Sequence, residues 1–231
     1  MRADLHSEDL FGLNLLRYNL GVFTGDGRNS FLLNDSGLTD MARLSLFPFG
    51  LFDDSSEGDF EHGDLQLSLA GAYLLIQDAP RDHGILGGVP ADGGTTDLQV
   101  ATADALLQFR GVSLLSAFFY RKGERNPGSL DGADGEAIDA APSRDGVGFL
   151  AQGGYLLPWF PLEVAARYAV VDGSHAEGRD GLPRSEEFAG ALNYYVSRHQ
   201  LKLQANYTRI AQNGDYAGSL GRLHLQLQAA F

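Results

Sequence analysis

The closing stretch RLHLQLQAAF, residues 222–231, decides how the whole chain reads. Successive side chains of a strand point to opposite sides, so Leu223, Leu225, Leu227, Ala229 and Phe231 share one face, and Arg222, His224, Gln226 and Gln228 share the other. One face is suited to an apolar surrounding and the other to water. Such alternation fits a half-buried sheet in a soluble sandwich as well as a strand between lipid and water, so the rest of the chain has to separate them.

Working back from that strand, the same period recurs. Leu16, Tyr18, Leu20 and Val22 lie opposite Arg17 and Asn19; Ala42, Leu44 and Leu46 lie opposite Arg43 and Ser45. Ala105, Leu107 and Phe109 oppose Asp104, Gln108 and Arg110, and Leu114, Phe118 and Tyr120 oppose Ser113 and Arg121. Leu162, Val164 and Tyr168 oppose Glu163 and Arg167; Leu201, Leu203 and Tyr207 oppose Lys202, Gln204 and Asn206. The runs are about nine to twelve residues long, the length of a tilted strand that spans a bilayer. Strands are expected over roughly 3–10, 15–24, 38–47, 64–76, 95–110, 112–122, 146–157, 160–171, 187–197, 199–210 and 220–231. No stretch of comparable length keeps a helical period, and none is apolar for the ~18 residues a transmembrane helix needs.

The connections alternate between short ones, at FGLN, Arg110-Gly111, LPWFP and SRHQ, and long polar ones at 25–37, 77–94, 123–145, 172–186 and 211–219. Outer-membrane barrels combine short periplasmic turns with long outer loops in this way. The link 48–63 breaks the pattern: parity makes it a turn, yet PFGLFDDSSEGDFEHG is long and acidic. Tyr73, Tyr120, Tyr155, Trp159, Phe160, Tyr194 and Phe231 gather toward strand ends, where aromatic girdles sit at the two interfaces. The expected fold is therefore all-β, an antiparallel transmembrane β-barrel in the bacterial outer membrane, with residues 1–231 as one domain.

The chain carries 30 Asp and Glu against 17 Lys and Arg, a formal net charge of −13. That excludes the clustered basic surface a nucleic-acid partner demands. The acids concentrate in connections, whereas the strands carry cations on the polar face. A cation facing lipid near the midplane costs about 2–4 kcal/mol, so Arg17, Arg43, Arg110, Arg121, Arg167, Lys202 and Arg222 are expected to line a lumen, with Asp104 and Glu163 as the inward acids. Basic side chains along a pore wall favour anions.

Catalytic and cofactor signatures are missing: there is no G-x-x-x-x-G-K-[ST], H-E-x-x-H or G-x-S-x-G, and no cysteine. DDSSEGD and DGADGE lack the ligand spacing of a calcium loop, and the histidines are dispersed. No enzyme activity, metal or cofactor is expected.

Several phrases together, LRYNLGVFTGDGRN with DMARLSLFPFG, QFRGVSLLSAFFYRKGE, GGYLLPWFPLEVAARYAVVDG, LNYYVSRHQLKLQANYTRI and the closing RLHLQLQAAF, resemble the phosphate-selective porin family, porins O and P. The resemblance implies a sixteen-stranded, usually trimeric outer-membrane channel whose inward Arg and Lys residues guide phosphate or other small anions. Arg167 and Lys202 stand in matching phrases. Ala117 departs from an inward Glu frequent in the family, and basic loop clusters of a high-affinity phosphate site are not evident.

The expected function is passive diffusion of small hydrophilic solutes with a preference for anions such as phosphate. The expected partners are outer-membrane lipid, small anions in the lumen, a homotrimeric assembly and the barrel-assembly machinery, for which Leu223, Leu225, Leu227 and Phe231 form the membrane-insertion signal. The alternatives are a soluble, surface-exposed β-sandwich or adhesive module, and a plugged barrel acting as receptor. The start MRADLHSEDL has neither a basic nor an apolar leader region. Counting back from a descending last strand makes the first one descend too. Since single-chain bacterial barrels have even strand numbers, the expectation is of missing N-terminal strands, five of which complete sixteen.

Overall fold

The structure is a computed structural model that describes residues 2–24, 37–81, 88–129, 131, 136–137, 143–173, 184–198 and 200–229. Ala230 and Phe231 lie outside them, so the terminal aromatic of the insertion signal is not placed. The described residues form one antiparallel sheet of 11 strands in sequence order, without a crossover. The strands are β1 (Arg2–Ser7), β2 (Leu16–Thr24), β3 (Leu38–Leu46), β4 (Gln66–Ala79), β5 (Thr95–Phe109), β6 (Val112–Asn126), β7 (Gly146–Leu156), β8 (Leu162–Gly173), β9 (Ser185–Ser197), β10 (Leu201–Gln212) and β11 (Asp215–Ala229). β1 and β11 are the two edges.

Number and order of strands are as the period-two pattern requires; the ends differ for local reasons. Residues 8–10 leave β1 because Leu10–Gly12 form a 3-10 turn, with Phe11 at φ 60 and the Asn14 N–H bonded to Asp9 Oδ1 at 2.8 Å. The expected long loop at 211–219 is instead a hairpin. Asn213 (φ 50) and Gly214 (φ 76) supply the two left-handed residues of a tight turn, and β11 starts at Asp215. Arg110 (φ 50) and Gly111 (φ 86) do the same between β5 and β6.

The described strands form a single sheet with no second layer over it among the described residues, unlike the paired sheets of a sandwich. One face holds Leu44, Leu69, Phe118, Val164, Leu192, Leu203 and Leu225, each between 41% and 77% exposed. The accessible surface is 14389 Å², against about 10,200 Å² expected for a compact soluble chain of this mass. An uncovered apolar sheet face contributes to that excess; soluble monomers tolerate apolar patches of only about a few hundred Å². Among the described residues no helix is long and apolar enough to cross a membrane, which says nothing of crossing by strands.

Aromatic rings cluster where the strands end. Tyr155, Trp159, Phe160 and Tyr194 gather around the Leu157–Pro161 turn, with Phe160 and Tyr194 ring centroids 5.6 Å apart and Trp159 78% exposed.

Candidate functional site: the inner face and the segment that crosses it

The face opposite the apolar one is polar, and the connection between β3 and β4 lies on it. This is the long acidic link that parity had made a turn. Each end is pinned by aromatic contacts. Phe47 is fully buried, packs edge-on against Phe52 at 5.6 Å and carries the Arg17 guanidinium 4.9 Å above its ring. At the far end Phe60 packs edge-on against Tyr195 of β9 at 4.8 Å. Between them the chain is tied to successive strands. Asp54 accepts from Arg17 of β2 at 2.8 Å, and Gln108 of β5 donates to the carbonyls of Ser56 at 2.9 Å and Glu57 at 3.1 Å.

Gln152 of β7 donates to the Glu57 carboxylate, and the Gly111 N–H donates to Asp59 Oδ2 at 2.7 Å. Glu61 meets Arg198 at 2.7 Å. The acids of DDSSEGD are thus engaged with protein donors.

One short segment therefore touches the sheet from β2 to the β9 end, at the edge where the short turns lie. The sheet curls around it: residues 55–58 and the facing strands β6–β10 enclose a cavity of about 440 Å³. Its charged lining is Glu57, Glu163, Arg167, Glu187 and Lys202, among the amides and hydroxyls of Ser113, Gln152, Asn193, Gln204, Asn206 and Thr208.

The inward residues expected from sequence are distributed as follows. Arg43 of β3 reaches over β4 to Asp104 of β5 in a two-pronged contact of 2.7 and 2.9 Å. Only Ala72 and Ala70 stand beneath, paired with Arg43 and Asp104, so the guanidinium can lie flat across that strand. Arg17 is held by Asp54 and, at 2.7 Å, by Glu8. Arg167 lies 3.5 Å from Glu187. Arg121 pairs with Gly146 and Val100, on the inner-face register of Ser113. Lys202 pairs with Tyr195 and Gln228, and Arg222 with Thr208. Neither Lys202 nor Arg222 makes an ion pair among the described residues.

Glu163, 6% exposed, is built into the wall: its Oε2 accepts from Asn193 Nδ2 at 2.8 Å and from the Tyr195 hydroxyl at 2.5 Å. Leu223, Leu225 and Leu227 are on the apolar face of β11 and 66–77% exposed.

Arg110 is the correction. It belongs to the β5–β6 turn rather than to the wall, and its guanidinium lies 5.1 Å over the Phe109 ring, at the rim of the apolar face. The left-handed φ of a two-residue turn takes it out of the strand alternation on which the sequence reading relied.

Sequence reading missed Glu57, Asp54 and Glu187. The first two ride on the inward segment, and their only signal was that its length and acidity violated the short-turn rule. Glu187 was legible from parity within β9, since it alternates with Ala189, Ala191 and Asn193.

Partial burial raises the Glu57 carboxyl above its ordinary pKa. The hydrogen bond from Gln152 opposes that rise, the nearby Glu163 charge adds to it, and Arg167 and Lys202 oppose it.

No family model matches this chain, and no curated protein matches it. Among solved structures it is similar to OccK10 (OpdN) of Pseudomonas aeruginosa, at 15% identity and a TM-score of 0.48, over 98% of this chain and 71% of that one. It is also similar to OprD of Pseudomonas aeruginosa, at 14% identity and a TM-score of 0.39, over 97% of this chain and 69% of that one. Both are outer-membrane porins.

Proposed function

We propose that the chain forms the wall of an outer-membrane diffusion channel for small hydrophilic solutes, with a preference for anions, phosphate among them. The observation that carries the reading is the division of a single sheet into an uncovered apolar face and a polar face that encloses a cavity with fixed charges. A water-soluble receptor has no use for the first, and a lipid-filled or solid barrel has no use for the second. The inward link at 47–62 narrows the passage. Pore walls of this kind pass solutes when contacts are numerous and individually weak.

The anion preference rests on a smaller set of cations than the sequence named. Arg17, Arg43 and Arg167 are matched by carboxylates, so their outward field is reduced. Lys202 and Arg222 make no ion pair among the described residues and supply the attraction. Planar-bilayer recording on protein purified from outer membranes tests both parts. The expected results are stepwise ohmic conductance and a reversal potential in a KCl gradient on the chloride side. Absence of conductance defeats the channel; a potassium-side potential defeats the anion preference alone.

A further inference from the structure

The geometry points to Glu57 as the acid that sets the charge preference of the channel, an inference that rests on the channel reading above. Three carboxylates and two cations face the cavity. Glu163 is locked in the wall by Asn193 and Tyr195, and Glu187 is spent on Arg167. Lys202, without an ion pair among the described residues, faces the same space from β10. Glu57 differs from the other two acids: it is exposed, it is carried across the inner face by the β3–β4 link, and its hydrogen-bond partner is the neutral amide of Gln152. It makes no ion pair among the described residues, so it projects a negative charge at the narrowed level that competes with Lys202 for the sign of the local field.

The groups that face it are Gln152 from β7, Glu163 and Arg167 from β8, Glu187 from β9 and Lys202 from β10, with Ser55, Ser56 and Gly58 beside it on its own segment. Because partial desolvation of its carboxyl and the Glu163 charge hold its proton more tightly than in a free glutamate, acidification neutralises Glu57 while Arg167 and Lys202 stay charged. The cavity then becomes more favourable to anions. The same link that narrows the channel thus makes its selectivity respond to acidity.

Reversal potentials in planar bilayers decide the matter, using KCl gradients with wild type, Glu57→Gln and Lys202→Gln at neutral and at acidic pH. A unit charge about 8 Å from a permeating ion, in water and partly screened, changes the ratio of chloride to potassium permeability about two- to fivefold. Glu57→Gln is expected to raise the ratio by that factor at the higher pH, and Lys202→Gln to lower it. Acidification is expected to move wild type toward Glu57→Gln and to move Glu57→Gln much less.

A conducting Glu57→Gln channel with the wild-type ratio overturns the inference and leaves the channel reading intact. If Glu57→Gln does not fold, a wild-type ratio that stays flat between the two pH values overturns it equally. A wild type without conductance removes both.

Discussion

Phe118 and Phe119 are adjacent on β6, equally exposed at 46% and 44%, and point to opposite faces. Replacing each in turn with arginine puts the same charge at the same height on the two sides of the sheet. On β6 the apolar face runs from Val112 to Tyr120, with Lys122 beyond it, so the band centres near Ser116. Phe118 lies two residues from that centre, about 5 Å along the membrane normal for a tilted strand. An arginine costs about 2–4 kcal/mol at the midplane and about 0–1 at the interface, which places Phe118→Arg at about 2 kcal/mol, or about thirtyfold in the folding equilibrium. Phe119→Arg removes the same ring but presents its charge to a hydrated lumen, so that term vanishes and the two variants differ by it. Urea unfolding in phospholipid bilayers, followed by the mobility difference of unboiled samples in detergent gels, measures the gap. Equal losses, or a larger loss for Phe119→Arg, refute the assignment of lipid to the face that carries Phe118.

Two further substitutions probe the rims. Asp92 of the β4–β5 connection and Arg125 of β6 form an almost fully buried pair at 2.6 Å, with side-chain exposures of 0% and 8%. Burial works to raise the Asp92 carboxyl, but hydrogen bonds from Arg125, Gly94 and Gly128 outweigh it and hold it below the usual range. The stability it contributes is thus complete above the ordinary aspartate value and lost as pH falls through the lowered one. Asp92→Asn, which strands the guanidinium, is expected to cost about 3 kcal/mol near neutrality and progressively less in acid, read by urea midpoints at several pH values; a loss under about 1 kcal/mol counts against a working pair. At the opposite rim, Gly111 has φ 86, and a Cβ there sits 2.5 Å from His62 Nδ1 and 2.6 Å from the Leu156 carbonyl. Gly111→Ala is expected to destabilise by about 2 kcal/mol and to loosen the inward link, seen as raised single-channel conductance; an unchanged midpoint and conductance contradict the docking of that turn.

Alternation determined which side chains share a face, and with that the strand count, order and antiparallel pairing, because period two is fixed by the backbone alone. It likewise put Arg43, Arg121, Arg167, Lys202 and Arg222 on one side before any contact was known. Where a left-handed turn residue intervenes, parity fails, and Arg110 was misplaced for that reason; the Asn213-Gly214 hairpin was visible as a dipeptide but was absorbed into an expected long loop.

What only the tertiary structure decided is how the β3–β4 link is used. Its acids read as solvated connection because their distant partners, Arg17, Gly111, Gln152 and Arg198, lie tens of residues away, and no local period encodes such distances. The number of cations is a property of the sequence; which of them remain unmatched depends on where curling the sheet brings Asp54, Asp104 and Glu187. Electric fields follow spatial distance, so the balance between Glu57 and Lys202 exists only once the link has crossed the inner face.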